Sequence, residues 1–231
     1  MRMMNLLLIR HALNDWADKK LAGWTPGISL NAEGCAQVEA LVKRLADVPL
    51  AAIYSSPLER TMETAQPVAE SHGLTIQVRE ALGEIRFGEW TGRSLEELQK
   101  EELWPVVQVY PSGARFPGGE SLREVQARLV SEIDAIRDAH DKETVAVFSH
   151  SDPIKLVVAH YLGLPLDLYQ RLAIGPASVT AFAFTPFGPR LLFMNRSESL
   201  PSFKFEDKEQ EKEQEDEEQP HALPGVLPQH G

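Results

Sequence analysis

Residues 6–12 read LLLIRHA, an apolar run that passes directly into an arginine and a histidine. The apolar part is too short for a helix and is typical of a strand buried on both faces of a parallel sheet. Polar residues at a strand end often mark only its exit from the core. Arg10 and His11, however, combine a permanent cation with the side chain that titrates closest to neutral pH. Other strand ends therefore decide whether the pair has a function.

Two other predicted strands end in a similar way. TVAVFS (144–149) leads into His150, and AAIYS (51–55) leads into a helix that carries Arg60 in its first turn. Since open α/β sheets bind ligands outside the carboxyl ends of their strands, we expect these side chains to meet at one edge. Two arginines and two histidines in one place suit a multiply charged anion, and a phosphoryl group best.

The rest of the body alternates helical and strand patterns. Helix starts are signalled by Asn31, by Pro57, by the capping-box pair Ser121 and Glu124, and by Pro153. Further strands are predicted at 75–78, 178–185 and 190–194, the last two as a hairpin across 186–189. This alternation predicts an α/β fold, a three-layer α/β/α sandwich whose sheet is mostly parallel with an antiparallel edge.

Composition places the chain among globular proteins. It has 231 residues, of which 43% are hydrophobic. Its one cysteine, Cys35, allows no internal disulfide and falls in a helical pattern, where we expect a small core residue. No apolar run approaches the ~20 residues that span a membrane, and the N-terminal apolar stretch is too short for a signal peptide. These features predict a soluble cytoplasmic protein.

The net charge of −11 is unevenly distributed. Residues 204–218 hold nine acidic residues and three lysines, which leaves residues 1–203 with a net charge of −5. An acidic body argues against nucleic-acid binding, so an anion site must be a local cluster of cations. The low-complexity composition of 204–231 predicts an acidic disordered tail that follows one domain at 1–203.

At this point the sequence resembles the histidine phosphatase superfamily, which includes the cofactor-dependent phosphoglycerate mutases. The matching segments, in family order, are LIRHA (8–12), LAGWTPGISLNAEG (21–34), SSPLERTMETA (55–65), LGEIRFGEWTG (82–92), PGGES (117–121) and FSHSDPIK (148–155). They span most of residues 5–195. The resemblance implies a phosphoglycerate mutase-like fold and chemistry that needs no metal and no other cofactor.

The resemblance also implies roles for individual residues. His11 would be the nucleophile that becomes phosphorylated, and Glu84 would be the proton donor. The groups implied to hold the phosphoryl oxygens or the rest of the substrate are Arg10, Arg60 and His150, with Asn14, Gly23 and Ser151 as further candidates. Chemistry agrees, because a neutral imidazole can attack phosphorus directly, whereas an alkoxide leaves poorly unless an acid protonates it.

The residues alone do not single out the acid. Glu80 and Glu89 lie close to Glu84, and only the resemblance chooses among the three. The chain also departs from the family pattern, because Ala12 and Ser151 stand where glycine is common and Ala17 stands where asparagine is frequent. Asn14 is the candidate to replace that asparagine contact.

The length of the segment 93–116 helps to distinguish a phosphatase from a phosphoglycerate mutase. The mutases usually carry a longer segment here, with an arginine pair for the substrate carboxylate, whereas Arg93 and Arg115 are single. The apolar residues of this segment indicate either a lid or packing against the long helix: Trp104, Val106, Val107, Val109 and Tyr110. The short segment favours a phosphatase that hydrolyses a small phosphorylated metabolite through a phosphohistidine. Sugar phosphates, phosphoglycerate derivatives and a cobalamin-precursor phosphate all stay open as the ester.

Three alternatives accompany this prediction. The first is a phosphoglycerate mutase that depends on 2,3-bisphosphoglycerate, or a related phosphomutase. The second is a catalytically silent sensor of a phosphorylated ligand, against which the joint presence of His11, Glu84 and His150 counts. The third is a metal hydrolase, but the remaining histidines show no ligand spacing with a carboxylate or cysteine. We expect neither nucleic acid nor membrane as a partner.

Overall fold

The computed structural model describes residues 2–201 and 203. Its strands are β1 (Met4–Arg10), β2 (Leu50–Ser55), β3 (Ile76–Val78), β4 (Glu143–Ser149), β5 (Val179–Thr185) and β6 (Gly188–Arg196). They form a sheet in the order β3-β2-β4-β1-β5-β6. The first four strands of that order are parallel, and β5 and β6 are antiparallel at one edge. The predicted mixed sheet is confirmed.

Helices cover both faces of this sheet. They are α1 (Ala32–Leu45), α2 (Glu59–His72), α3 (Leu95–Leu98), α4 (Leu103–Val109), α5 (Leu122–Ala139) and α6 (Ser151–Tyr161). Successive residues of β1 point to opposite faces, so Leu6 and Leu8 pack in the core with α5 and α6, while Leu7 and Ile9 pack with α1 and α2. The predicted three-layer sandwich follows from this alternation.

Helix starts agree with the sequence signals, with small shifts. The Asn31 side chain accepts a hydrogen bond from the backbone of Gly34, and Ser121 and Glu124 form the predicted capping box of α5. Helix α6 begins at Ser151, two residues before Pro153. The proline is tolerated there because backbone N–H groups in the first turn have no partner within the helix.

Two local predictions are corrected. Cys35 is exposed, because it lies beside the apolar stripe of α1 that buries Val38 and Leu41. The hairpin turn is shorter than expected, since Pro189 belongs to β6. A proline is accommodated in β6 because this strand forms the edge of the sheet.

The core includes a residue beyond the last strand. Phe203 is buried and packs against Phe193, with ring centroids 6.1 Å apart. The predicted acidic tail, 204–231, lies outside the described residues. Within the part of the chain that is described, no helix combines the length and apolarity needed to cross a membrane.

Candidate active site

The carboxyl ends of three neighbouring strands meet at one place. The β1–β4 register sets Arg10 opposite Ser149, and the backbone N–H of His11 donates to the Ser149 carbonyl at 2.9 Å. On the other side of β4, the N–H of Ser56 donates to the Phe148 carbonyl at 3.0 Å. The sheet therefore fixes the three strand exits relative to one another, as the sequence predicted.

A cavity of about 290 Å³ opens at this edge. Its lining includes six of the predicted site residues: Arg10, His11, Asn14, Arg60, Glu84 and Ser151. The buried ring of His150 lies next to that of His11, with centroids 5.3 Å apart. Among residues 2–201 and 203, no cluster of His, Cys, Asp or Glu is arranged to hold a metal ion.

The His11 ring is held in one tautomer. Its Nδ1 lies 2.7 Å from the carbonyl oxygen of Ala12, which can only accept a hydrogen bond, so Nδ1 carries the proton. The lone pair is then on Nε2. Burial, with Arg60 and Arg10 nearby, holds the pKa of His11 well below its usual range. The ring is consequently neutral at pH 7, and the lone pair on Nε2 could attack an electrophile without the help of a base.

Two buried arginines present unpaired donors beside it. Arg10 Nη1 donates to the Ile174 carbonyl at 2.7 Å, and Arg60 Nη2 donates to the Gly23 carbonyl at 2.9 Å. These bonds fix both guanidinium groups. The Nε of Arg10 and the Nε and Nη1 of Arg60 are buried and have no hydrogen-bond partner among the described residues. Buried donors are rarely left unpaired, so these atoms mark a place for acceptor oxygens.

His150 contributes a further donor. Its Nε2 lies 2.9 Å from Ser56 Oγ, which already accepts from the N–H of Leu58, so the hydroxyl hydrogen is available to donate to the ring. This arrangement favours the proton on Nδ1, a buried atom with no hydrogen-bond partner in the described chain. Burial also lowers the pKa of His150 well below its usual range. A neutral His150 thus offers one N–H to the pocket.

Glu84 is the buried carboxylate of the site. Its side chain is 13% exposed, its Oε1 accepts from the N–H of Ile85, and its Oε2 lies 3.9 Å from His150 Nδ1. Burial raises the pKa of Glu84 to about 7, and the negative charge of Asp152 adds to the rise. Arg60 opposes it. The carboxyl group therefore exchanges its proton near neutral pH, as a general acid and base must.

The loop that carries Glu84 is clamped by side chains from elsewhere in the chain. The backbone carbonyl of Glu84 accepts hydrogen bonds from Trp24 Nε1 at 2.7 Å and from Arg128 Nη2 at 2.9 Å. Glu80 and Glu89, by contrast, are exposed, and Glu80 is ion-paired with Arg86. Burial thus distinguishes Glu84 from the two acids that the residues alone left open.

Asn14 and Ser151 line the same pocket as His11. The Oδ1 of Asn14 accepts hydrogen bonds from the backbone N–H groups of Trp16 and Ala17, so these bonds do not use its amide nitrogen. Ser151 Oγ donates to the Ile174 carbonyl over a long 3.4 Å.

Gly23 and Ala12 are two small buried residues next to the site. Gly23 is buried, and its carbonyl accepts a hydrogen bond from Arg60. Its φ of +49° favours glycine, and a Cβ there would lie 3.1 Å from Phe87. Ala12 is fully buried, and its N–H donates to Thr64 Oγ1 at 3.0 Å. Its methyl group is thus accommodated in the core.

Residues 93–116 contribute side chains to the core cluster that includes α5, and they also line the pocket. Trp104 and Val107 line the pocket, and Trp104 stacks on Trp90 with centroids 6.3 Å apart. Val109 and Tyr110, at the end of α4, are 74% and 56% exposed. The segment thus forms an apolar wall of the pocket with an exposed outer end.

A comparison with protein families agrees with this geometry. The model of the histidine phosphatase superfamily, branch 1, matches residues 6–197. The chain belongs to the histidine phosphatase superfamily. The resemblance carried by the sequence segments is confirmed, and with it the assignment of the chain as a phosphatase-type enzyme.

Individual relatives of this histidine phosphatase carry two kinds of name. Phosphoserine phosphatase 1 of Hydrogenobacter thermophilus is 32% identical over 182 residues, 76% of this chain and 84% of that protein. A probable phosphoglycerate mutase, GpmB, of Escherichia coli O1:K1 / APEC is 28% identical over 181 residues, 77% of this chain and 84% of that protein. A phosphoserine phosphatase mutant of Entamoeba histolytica, solved with phosphoserine, has a TM-score of 0.78 at 26% identity and covers 86% of this chain and 100% of that one.

Sequence reasoning missed several supporting residues of the histidine phosphatase site. Arg128 lies in the middle of α5, 44 residues from Glu84, and nothing in its surroundings along the chain indicates the contact. Ser56 falls within a matching segment, but its bond to His150 depends on the fold. Asp152 and Lys155 are three residues apart on α6, and helical spacing alone could have predicted their ion pair.

The raised pKa of Glu84 predicts a pH-dependent gain in stability for Glu84→Gln. The folded protein binds this proton more tightly than the unfolded chain, so the stability that Glu84 contributes falls as the pH rises through about 5 to 7. The variant cannot ionise. We expect it to be up to about 3 kcal/mol more stable than the wild type above about pH 8, and similar to it near pH 4. Urea unfolding at both pH values measures the difference, with Glu89→Gln as the exposed control.

Proposed function

We propose that the chain is a phosphomonoester hydrolase that transfers the phosphoryl group of a small metabolite to His11 Nε2 and then to water. The observation that carries the proposal is the set of buried N–H groups without partners around one nucleophilic nitrogen: Arg10 Nε, Arg60 Nε, Arg60 Nη1 and His150 Nδ1. A phosphoryl group supplies the oxygens that would satisfy them.

In the first step, His11 Nε2 attacks phosphorus. The N–P bond forms as the P–O bond to the alcohol breaks, while the two arginines and His150 bind the oxygens on which charge accumulates. Their positions are fixed before the substrate binds, because each is held by a carbonyl or hydroxyl of the fold. Little reorganisation is then needed at the transition state.

Glu84 supplies the proton for the leaving alcohol. With a pKa of about 7, a large fraction of Glu84 is protonated at neutral pH. The alcohol oxygen takes this proton as the P–O bond breaks, which leaves Glu84 as a carboxylate.

In the second step, the same carboxylate accepts a proton from water as the water oxygen attacks the phosphohistidine. The N–P bond breaks, inorganic phosphate forms, and His11 and Glu84 return to their starting states. Glu84 is thus the proton donor in the first step and the proton acceptor in the second.

The experiment is a panel of phosphomonoesters with purified protein, in which inorganic phosphate is measured. We expect stoichiometric release of phosphate from at least one ester, with activity unchanged in a metal chelator. A phosphomutase would instead interconvert phosphoglycerate isomers, depend on a bisphosphorylated primer and release little phosphate. A protein that binds these esters without converting any of them would be a sensor, and the proposal would be wrong.

Loss of one phosphate-binding cation gives a further prediction. Arg60→Met removes two unpaired donors, and we expect kcat/KM for nitrophenyl phosphate to fall by roughly a hundredfold or more. Arg137→Met, which removes an arginine ion-paired with Asp134 at the end of α5, is the matched control and should leave kcat/KM nearly unchanged. Equal kcat/KM values for the two variants would show that Arg60 has no part in the mechanism.

A further inference from the structure

Beyond the phosphate-binding groups, the pocket contains a second, internally paired set of charges. Lys155 Nζ lies 3.0 Å from Asp152 Oδ1, and the two side chains are 14% and 26% exposed. The same ammonium lies 3.5 Å from Gln170 Oε1 and 5.9 Å from the centroid of the Tyr169 ring. All four residues line the cavity. Lys155 is therefore a pocket cation whose contacts are already taken by the protein.

The remaining charges of the outer pocket offer little to a substrate anion. Lys20 and Asp18 line the cavity but are exposed, and Lys20 Nζ lies 5.0 Å from the centroid of the Trp16 ring. Water and salt screen such rim charges. Of the described cations that line the cavity, only Lys155 is largely buried and also separate from Arg10 and Arg60.

Another part of the pocket lining is apolar. Leu21, Leu95, Trp104 and Val107 line the cavity from the segments that follow β1 and precede α5. This wall can pack against carbon but cannot stabilise charge. An ester whose alcohol part is uncharged can contact these apolar side chains and leave the Asp152–Lys155 pair intact, whereas a substrate carboxylate must compete with Asp152 for Lys155.

We propose that Asp152, by holding Lys155, is a specificity-determining residue that makes the pocket select phosphomonoesters with an uncharged alcohol part over those that carry a carboxylate. This inference rests on the proposed hydrolysis. It names the substrate class of that same site, and it does not depend on which group donates the proton.

Glycerol 3-phosphate and 3-phosphoglycerate are the matched probes, because they differ by a hydroxymethyl group against a carboxylate. We expect the wild type to have a kcat/KM at least about tenfold higher for glycerol 3-phosphate, the scale of one charged hydrogen bond. Asp152→Asn frees Lys155 and should shift the ratio of the two values by about tenfold toward 3-phosphoglycerate. Changes in the protonation of Glu84 affect both esters alike and cancel in the ratio.

Two further variants serve as controls for this result. Lys155→Met leaves Asp152 facing the substrate and should shift the ratio the opposite way, further toward glycerol 3-phosphate. The double variant, Asp152→Asn with Lys155→Met, should lose the gain for 3-phosphoglycerate. Opposite shifts from two neighbouring substitutions are not the result of general damage to the fold.

Three outcomes overturn the inference. One is a wild-type preference for 3-phosphoglycerate, and another is a ratio that stays constant in both single variants while they still hydrolyse glycerol 3-phosphate. The third is a preference for O-phosphoserine over both probes, because Asp152 and Lys155 would then separate and bind the amino and carboxylate groups of the substrate. In all three, phosphate is still released and the proposed hydrolysis stands. Absence of phosphate release by the wild type from every ester, nitrophenyl phosphate included, would overturn both.

Discussion

His11→Ala is expected to lose turnover of every phosphate ester, with kcat falling by at least about 10⁴-fold. The reason is that Nε2 of this ring forms the only covalent bond between the protein and the phosphoryl group in the proposed path. Removing it also leaves two buried arginines to bind the substrate without a nucleophile, so binding should survive better than turnover. Release of inorganic phosphate from nitrophenyl phosphate is the measurement, with substrate affinity measured separately by calorimetry.

The control for this variant is His160→Ala. His160 lies on α6 and is exposed, so its removal tests for a general effect of losing a histidine. We expect near wild-type turnover there. Substantial turnover by His11→Ala, in protein shown to be folded by circular dichroism, would contradict a covalent mechanism at this residue.

Glu84→Gln should discriminate between leaving groups. Esters of ordinary alcohols, such as sugar phosphates, should be slowed by roughly a hundredfold to ten-thousandfold, because an alkoxide needs a proton in the transition state. Nitrophenyl phosphate should lose far less in the same step, since nitrophenolate leaves without one. Glutamine keeps an oxygen for the N–H of Ile85, so the loop has no reason to move.

Single-turnover phosphorylation of the enzyme is the right measurement for Glu84→Gln. Breakdown of the phosphohistidine also uses this carboxylate in the proposed path, so steady-state rates for both esters could be limited by that later step. Glu89→Gln is the matched control, because Glu89 is a nearby exposed acid. Equal losses on both esters in the first step would mean that Glu84 positions the phosphate or supports the loop.

The fold was largely predictable because its signals are local. Four apolar residues before Arg10, a side-chain cap at Asn31 and a capping box at Ser121 depend on neighbours within a few positions, and each gave the right element. Cys35 shows the limit of such signals. It sits next to a buried stripe along the sequence, but the turn of the helix carries it to the exposed side.

The site was predictable only to the extent that strand ends identify an edge. Arg10 is the last residue of β1, and His11 and His150 directly follow β1 and β4, so parallel pairing brings the three together. The environment of Glu84 depends on Trp24 and Arg128, which are 60 and 44 residues away, and no spacing rule gives such contacts. Without the resemblance, burial would have been needed to choose this acid.

The raised pKa of Glu84 also has a consequence for stability. Keeping a carboxyl group in a buried pocket costs stability once the group ionises, and the same burial is what gives it a pKa suited to proton transfer. A Glu84→Gln variant that is more stable but slower on esters of ordinary alcohols would show this trade-off directly.

The central claim is tested most directly by trapping the intermediate. The wild-type protein is mixed with a phosphate ester, quenched in alkali within one turnover, and digested for mass spectrometry. We predict one phosphoryl group on the peptide that contains His11, stable in alkali and lost in acid, and none in His11→Ala. Phosphate on another residue, or rapid hydrolysis with an unmodified His11 at every time point, would contradict the account.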